Sequence, residues 1–260
     1  MAEVTPDFRL DGRIAFVSGA AGHLGRAISH ALSQAGAHLI LNGRDESRLR
    51  DFAKTLRSAE CAAFDVADFP AVRKFFESRD RIDVIVNNAI SMTPKPRDQL
   101  APEDFDQTYR SSVTAAFEIT RAALPALRNA VKASGDASVI NIASMYATVS
   151  PDARIYAKPE QASPFHYGPA KAALIQLTRH LAAELGPERI RVNALVPGPF
   201  PRPEVHTNDP KFAERLAAKT MLGRLGAPNE IAGPVQFLAS TASSFVTGSA
   251  LAVDGGWTAW

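Results

Sequence analysis

Ile14-Ala15-Phe16-Val17-Ser18-Gly19-Ala20-Ala21-Gly22-His23-Leu24-Gly25 is the stretch on which the fold turns. Four apolar residues between Arg13 and Ser18 read as a buried strand, and a helical pattern runs from about His23 to Ala35 after the glycine-rich turn. Glycines there allow a tight strand-to-helix reversal and let a pyrophosphate approach backbone N–H groups at the positive end of the helix. A turn that holds no ligand is the alternative; placement directly after the first strand favours the nucleotide. Ser18, Gly19, Gly22, His23, Leu24 and Gly25 are therefore candidate cofactor-binding residues.

Outward from that turn, apolar runs keep alternating with longer helical stretches. His38–Leu41 follows Gly36, and a polar helix over about 46–57 leads to Cys61–Phe64. A helix over 69–78 precedes a strand at Ile82–Val86, and a long helix over about 102–131, bent near Pro125, precedes Ser138–Ile142. An Ala-rich helix over Tyr167–Leu185 leads to Ile190–Leu195, and helices over about 209–220 and 228–240 lead to Ala250–Val253. Seven strands, apolar on both faces and separated by helices, predict a parallel sheet covered on both sides: the doubly wound α/β class, in one domain over 1–260. A (β/α)8 barrel is the alternative at this length. The stretch from Met145 to His166, with Pro151, Pro159 and Pro164, suits neither a long helix nor a central strand and predicts a long loop, a place where function tends to lie.

Composition narrows the partners. With 46% hydrophobic and 22% charged residues in 260, disorder and collagen-like structure are excluded. Lys plus Arg at 29 against Asp plus Glu at 27 gives a net charge of +2, without the clustered basic footprint of a nucleic-acid binder. Cys61 is the single cysteine, so neither an internal disulfide nor a thiolate metal site is expected, and it reads as a small buried apolar residue. The six histidines show no metal-ligand spacing. No apolar run has the roughly 18 residues of a membrane span and the first dozen residues lack a signal-peptide core, so the expected location is the cytoplasm, with no membrane partner.

Tyr167-Gly168-Pro169-Ala170-Lys171 is the strongest chemical signal. Spaced i and i+4 at a helix start, the phenol and the ammonium share one face. Using a tyrosine as an acid/base near neutrality requires lowering its pKa of about 10 by roughly three units, or about 4 kcal/mol. An ammonium about 5 Å away contributes on the order of 3 kcal/mol at an effective dielectric of ~20. Taken with the glycine turn and Asn87-Asn88-Ala89-Ile90, the pattern resembles the classical short-chain dehydrogenase/reductase family over nearly the whole chain. The turn is similar to that family's TGxxxGxG, with His23 at the middle glycine, and Asn87–Ile90 to its NNAG, with Ile90 replacing Gly. Asp65-Val66 resembles the adenine-contacting pair, Pro197-Gly198 the motif bordering the nicotinamide, and Val253-Asp254-Gly255-Gly256-Trp257 the family's ending.

The resemblance implies a Rossmann-type sheet, a nicotinamide cofactor, a small-molecule substrate and a homotetramer. It implies Tyr167 as general acid/base, Lys171 as the group that depresses its pKa and holds the nicotinamide ribose, and Ser144 as the residue orienting the substrate oxygen. Ser112 stands where the family has an asparagine supporting a water relay to the lysine. Asp65, Val66, Asn88, Ala89, Pro197 and Gly198 join the cofactor set. At the end of the second strand, in Leu41-Asn42-Gly43-Arg44-Asp45, Gly43 replaces the Asp of NAD-preferring members and Arg44 follows, which favours NADP(H). NAD(H) is the alternative through Asp45, which otherwise caps the helix beginning near Glu46.

Gly43-Arg44, the loop from Ser144 to Pro159 and Pro197-Gly198-Pro199-Phe200-Pro201 most resemble gluconate 5-dehydrogenase-like members and sugar-modifying oxidoreductases. That implies hydride transfer between nicotinamide and a carbonyl or secondary alcohol of a sugar, sugar acid or polyol. A 3-oxoacyl thioester is the alternative substrate. A catalytically weak nucleotide-sensing or scaffold protein of the same fold is the alternative of another class, motivated by Ser112, His23 and Ile90. Arg154 and Lys158 either face an anionic or polyhydroxylated substrate or are solvated, residues 209–225 are expected to form a lid, and Trp257 and Trp260 to be buried against the site or a second subunit.

Overall fold

The structure, a computed structural model, describes residues 7–157 and 162–260. The loop residues Lys158 and Pro159 lie outside it. The chain alternates strands and helices as β1 (Ile14–Val17), α1 (His23–Gln34), β2 (His38–Gly43), α2 (Glu46–Ala53), β3 (Ala59–Ala63), α3 (Phe69–Glu77) and β4 (Val84–Asn87). It continues as α4 (Pro102–Tyr109), α5 (Ala115–Ser134), β5 (Ala137–Ile142), α6 (Tyr167–Leu185), β6 (Ile190–Pro197), α7 (Pro203–Asn208), α8 (Pro210–Ala218), α9 (Ala232–Ala239) and β7 (Ala250–Val253). All seven strands form one sheet in the order β3-β2-β1-β4-β5-β6-β7, every pairing parallel. This is the doubly wound Rossmann-type sheet, and it excludes the barrel.

Side-chain alternation along each strand builds two cores. Ala15 and Val17, Leu39 and Leu41, Val84 and Val86 pack on one face, with Ile28 and Leu32 of α1, Phe52 of α2 and Val235 of α9. Phe16, Ile40 and Ile85, one position over, pack on the other, with Phe76 of α3, Leu127 of α5 and Leu185 of α6. Both faces of β5 and β6 are buried throughout, and the polar residues within them, Ser138, Asn141, Arg191 and Asn193, are all hydrogen-bonded.

Three local departures from the sequence expectation bear on function. The long helix over 102–131 is interrupted by a π-helical turn at Arg110–Thr114, while Pro125 stays inside α5. One extra residue in a turn leaves the apolar periodicity almost intact, so pattern alone passes over it. The proline-containing loop carries 3₁₀ turns at Met145–Ala147 and Ala153–Ile155 and packs Met145, Ile155, Leu216 and Trp257 into a small core of its own. Trp257 is thus buried within its own chain, whereas Trp260 is 77% exposed. Cys61 is half-buried, and burial pushes its thiol pKa up. Among the described residues no helix is long and apolar enough to cross a membrane.

Candidate active site

Strand order reverses between β1 and β4, so the chain leaves their carboxyl ends in opposite directions and opens a crevice there. A cavity of about 510 Å³ occupies it, lined from the carboxyl ends of β1 through β6. Gly19 supports the tight turn with a φ of +63°, and a Cβ on it would lie 2.9 Å from the Asn88 amide nitrogen. A Cβ on Gly25 would lie 2.1 Å from the Gly19 carbonyl oxygen, so α1 can close onto the turn only with glycine there. Gly22 caps α1 without a side-chain bond, leaving the N–H groups of its first turn to the cavity. Gly19, Gly22, His23, Leu24 and Gly25 all line it, and this cradle fits a pyrophosphate. Ser18 does not. Its buried hydroxyl accepts from the N–H groups of Asn88 (2.9 Å) and Ala89 (3.0 Å), and it braces β4 from behind instead of touching a ligand.

Farther along, Arg44, Asp65 and Val66 line the same cavity, with Arg44 72% exposed and 3.9 Å from Asp65. The Asp45 carboxylate accepts from the Arg48 N–H at 3.0 Å as the cap of α2. Arg48 was missed by the motif reading. It also lines the cavity, and its guanidinium donates to the Ala21 carbonyl at 2.9 Å, tying α2 to the glycine turn. The legible signal was its place in the first turn of the helix that follows Arg44.

At the opposite end Ser144, Tyr167 and Lys171 come together, with Asn88, Ala89, Pro197 and Gly198 along the wall. Ser144 ends β5, its hydroxyl held by the Tyr146 N–H at 3.2 Å. Tyr167 opens α6. Burial pushes its phenol pKa up, and a hydrogen bond from Ser144 pulls it down. Lys171 lies one turn on, with its ammonium 5.9 Å from the centre of the Tyr167 ring and donating to the Ile142 carbonyl at 2.6 Å. Burial lowers its pKa to about 8. Asn87 bonds Asn141 at 2.8 Å, and Asn141 bonds Thr178 of α6 at 2.9 Å, fixing the catalytic helix to the strand ends.

Ser112 does not line the cavity. The π-helical turn buries it, and its hydroxyl donates to the Thr108 carbonyl at 2.6 Å. Ser111 faces the cavity instead, its hydroxyl accepting from the Ser91 N–H at 2.9 Å. His166 is buried, with Nδ1 3.0 Å from the Thr108 hydroxyl, and so joins the start of α6 to α4. Arg154 is 88% exposed and paired to Asp152, and the cavity lining does not include it. Lys219 holds Asp152 from the other side at 2.7 Å, and the two cations keep that carboxyl well below the usual range.

A family model described as enoyl-(acyl carrier protein) reductase matches residues 19–258. The chain belongs to the classical short-chain dehydrogenase/reductase family. It is an NAD(P)-dependent oxidoreductase. The enzyme is 36% identical to the rhamnolipids biosynthesis 3-oxoacyl-[acyl-carrier-protein] reductase of Pseudomonas aeruginosa, over 96% of this chain and 98% of that one. It is 36% identical to the galactitol 2-dehydrogenase (L-tagatose-forming) of Cereibacter sphaeroides, over 97% and 98%. Its fold matches a gluconate 5-dehydrogenase from Burkholderia cenocepacia, solved with NADP and tartrate, at a TM-score of 0.83 and 31% identity over 98% of both chains.

Proposed function

We propose that the enzyme transfers hydride between NADP(H) and a carbonyl or secondary alcohol of a sugar, sugar acid or polyol. The observation that carries this reading is the continuous cavity from the glycine turn and the Arg44–Arg48 pair to Ser144, Tyr167 and Lys171. The nicotinamide supplies or accepts the hydride when bound. Arg44 and Arg48 give a 2′-phosphate two guanidinium partners, and the commitment of Asp45 to capping α2 supports this choice over a 2′-hydroxyl contact. Ser144 and Tyr167 hold the substrate oxygen. In the reductive direction the phenol gives its proton to that oxygen as the hydride reaches carbon, and oxidation returns both. Lys171, lining the same cavity, would hold the nicotinamide ribose. The exposed Phe105, Tyr109 and Phe117 of α4 and α5 support association into a homotetramer as part of the same proposal.

A 3-oxoacyl thioester is the second reading, favoured by the Pseudomonas reductase at an identity equal to that of the galactitol enzyme. The deciding experiment is titration with NADPH and NADH by nicotinamide fluorescence, followed by turnover on sugars, sugar acids, polyols and 3-oxoacyl thioesters. NADPH is expected to bind tighter, and Arg44→Ala to weaken it about tenfold or more with little effect on NADH, since a hydrogen bond to a charged group contributes about 1.5–3 kcal/mol. Tyr167→Phe should retain binding and lose turnover by about a hundredfold or more. Thioester turnover alone would replace the sugar reading. Cofactor binding without turnover on any of them would favour the nucleotide-sensing alternative.

A further inference from the structure

The His23 side chain stands where the family pattern has a glycine, and it makes a contact that a glycine cannot make. Its Nε2 lies 3.1 Å from the Phe200 carbonyl oxygen, and both residues line the cofactor cavity. A carbonyl only accepts, so Nε2–H is the donor of this bond. Among the described residues, His23 is the one donor brought to that carbonyl.

Phe200 belongs to the short stem between β6 and α7. The Gly198 N–H donates to Val253 at 3.0 Å, and the Gly226 N–H donates to Pro199 at 3.1 Å. The Phe200 ring covers Gly226 so closely that a Cβ there would lie 2.5 Å from Cε1. Pro199 and Pro201 have no N–H, so the stem has few backbone donors of its own and is held from outside. The partners come from β7, from the stretch after α8, and, through His23, from the first residue of α1. Only His23 belongs to the glycine turn.

We infer that His23 is a positioning residue. It latches the stem of α7 and α8 to the glycine turn, so that the turn and the substrate-side helices move as one unit. The link to catalysis rests on a dinucleotide occupying the cavity; the latch itself does not. It accounts for a long side chain at this place, since only such a side chain reaches the Phe200 carbonyl.

The test compares wild type, His23→Gly and His23→Gln by amide hydrogen exchange over residues 198–212, with and without NADPH. Glycine removes the donor while suiting the turn, and glutamine keeps an amide donor at similar reach. We expect His23→Gly to exchange about fivefold faster over 198–212, the equivalent of about 1 kcal/mol for one lost hydrogen bond. β1 and β4 should be unchanged, and His23→Gln should restore protection. In turnover assays His23→Gly should raise KM for the carbonyl substrate about fivefold, and His23→Gln should bring it back towards wild type. Unchanged exchange over 198–212 overturns the latch whether or not NADPH binds. A KM that rises as much in His23→Gln as in His23→Gly also overturns it, because the effect would then not come from the donor to Phe200. Faster exchange in a chain that binds no dinucleotide supports the latch and overturns the cofactor reading instead.

Discussion

Lys171 keeps an ammonium in a buried position, facing a carbonyl and a tyrosine ring and, among the described residues, without a carboxylate partner. Burial lowers its pKa from 10.5 to about 8, so between those values the unfolded chain holds more protons at this site than the folded one. Stability from this group therefore rises with pH across that window. Wild type should gain on Lys171→Met by as much as about 3 kcal/mol between pH 8 and 10.5, measured as the difference between their urea unfolding free energies, and a flat difference would refute the assignment. The lowering of the Tyr167 phenol pKa expected from Lys171 together with an oxidised nicotinamide belongs to the cofactor-bound enzyme. The phenol's environment is set first by burial, which raises the pKa, and then by Ser144, which lowers it. In the chain alone the phenol is protonated at neutral pH, the form that suits carbonyl reduction.

At the scale of elements, the π-helical turn between α4 and α5 decides which serine reaches the site. Ser111 braces the Ser91 backbone at the cavity wall, and Ser112 only bonds back to Thr108. Ser111→Ala should reduce kcat/KM severalfold, and Ser112→Ala should act mainly on stability, by about 1 kcal/mol. Steady-state kinetics beside thermal unfolding of the two variants distinguishes them; a larger kinetic loss at Ser112 would restore the alignment-based assignment. The loop after β5 shows the same division of information. Its prolines announce an irregular segment, while its packing of Ile155 against Leu216 and Trp257 depends on residues far along the chain.

Across the whole molecule, the end of the sheet opposite the cleft carries a charge cluster that the motif reading did not single out. Asp136, just before β5, accepts from Arg13 at 2.7 Å and from Arg191 at 3.1 Å, and both arginines are buried. Removing the carboxylate leaves two buried guanidinium groups without their counter-charge, an arrangement that typically destabilises by about 3–5 kcal/mol. Asp136→Ala should show that loss in urea unfolding and should keep NADPH affinity near wild type, because the cluster lies at the amino ends of the strands and the cavity at their carboxyl ends. Weakened binding with unchanged stability would contradict this separation of roles.

The sheet class, the glycine turn and the Tyr167–Lys171 pair were legible in the chain because they depend on local chemistry, whereas much of the remaining cavity lining was legible through the family resemblance. Two-sided apolar runs require a covered parallel sheet, glycines permit the tight turn, and an i, i+4 pair shares a helix face whatever surrounds it. Tyr167, Lys171 and the glycine turn follow from that logic, Ser144 from the family resemblance, and all line one cavity. Tertiary structure alone decided the rest. It turned Ser18 into a brace and Ser112 away from the cleft, added Arg48 beside Arg44, and carried the His23 ring across to Phe200. Each of these rests on a hydrogen bond or a one-residue change of helical register. Sequence periodicity records which face of an element is apolar, and does not record which distant carbonyl a side chain meets.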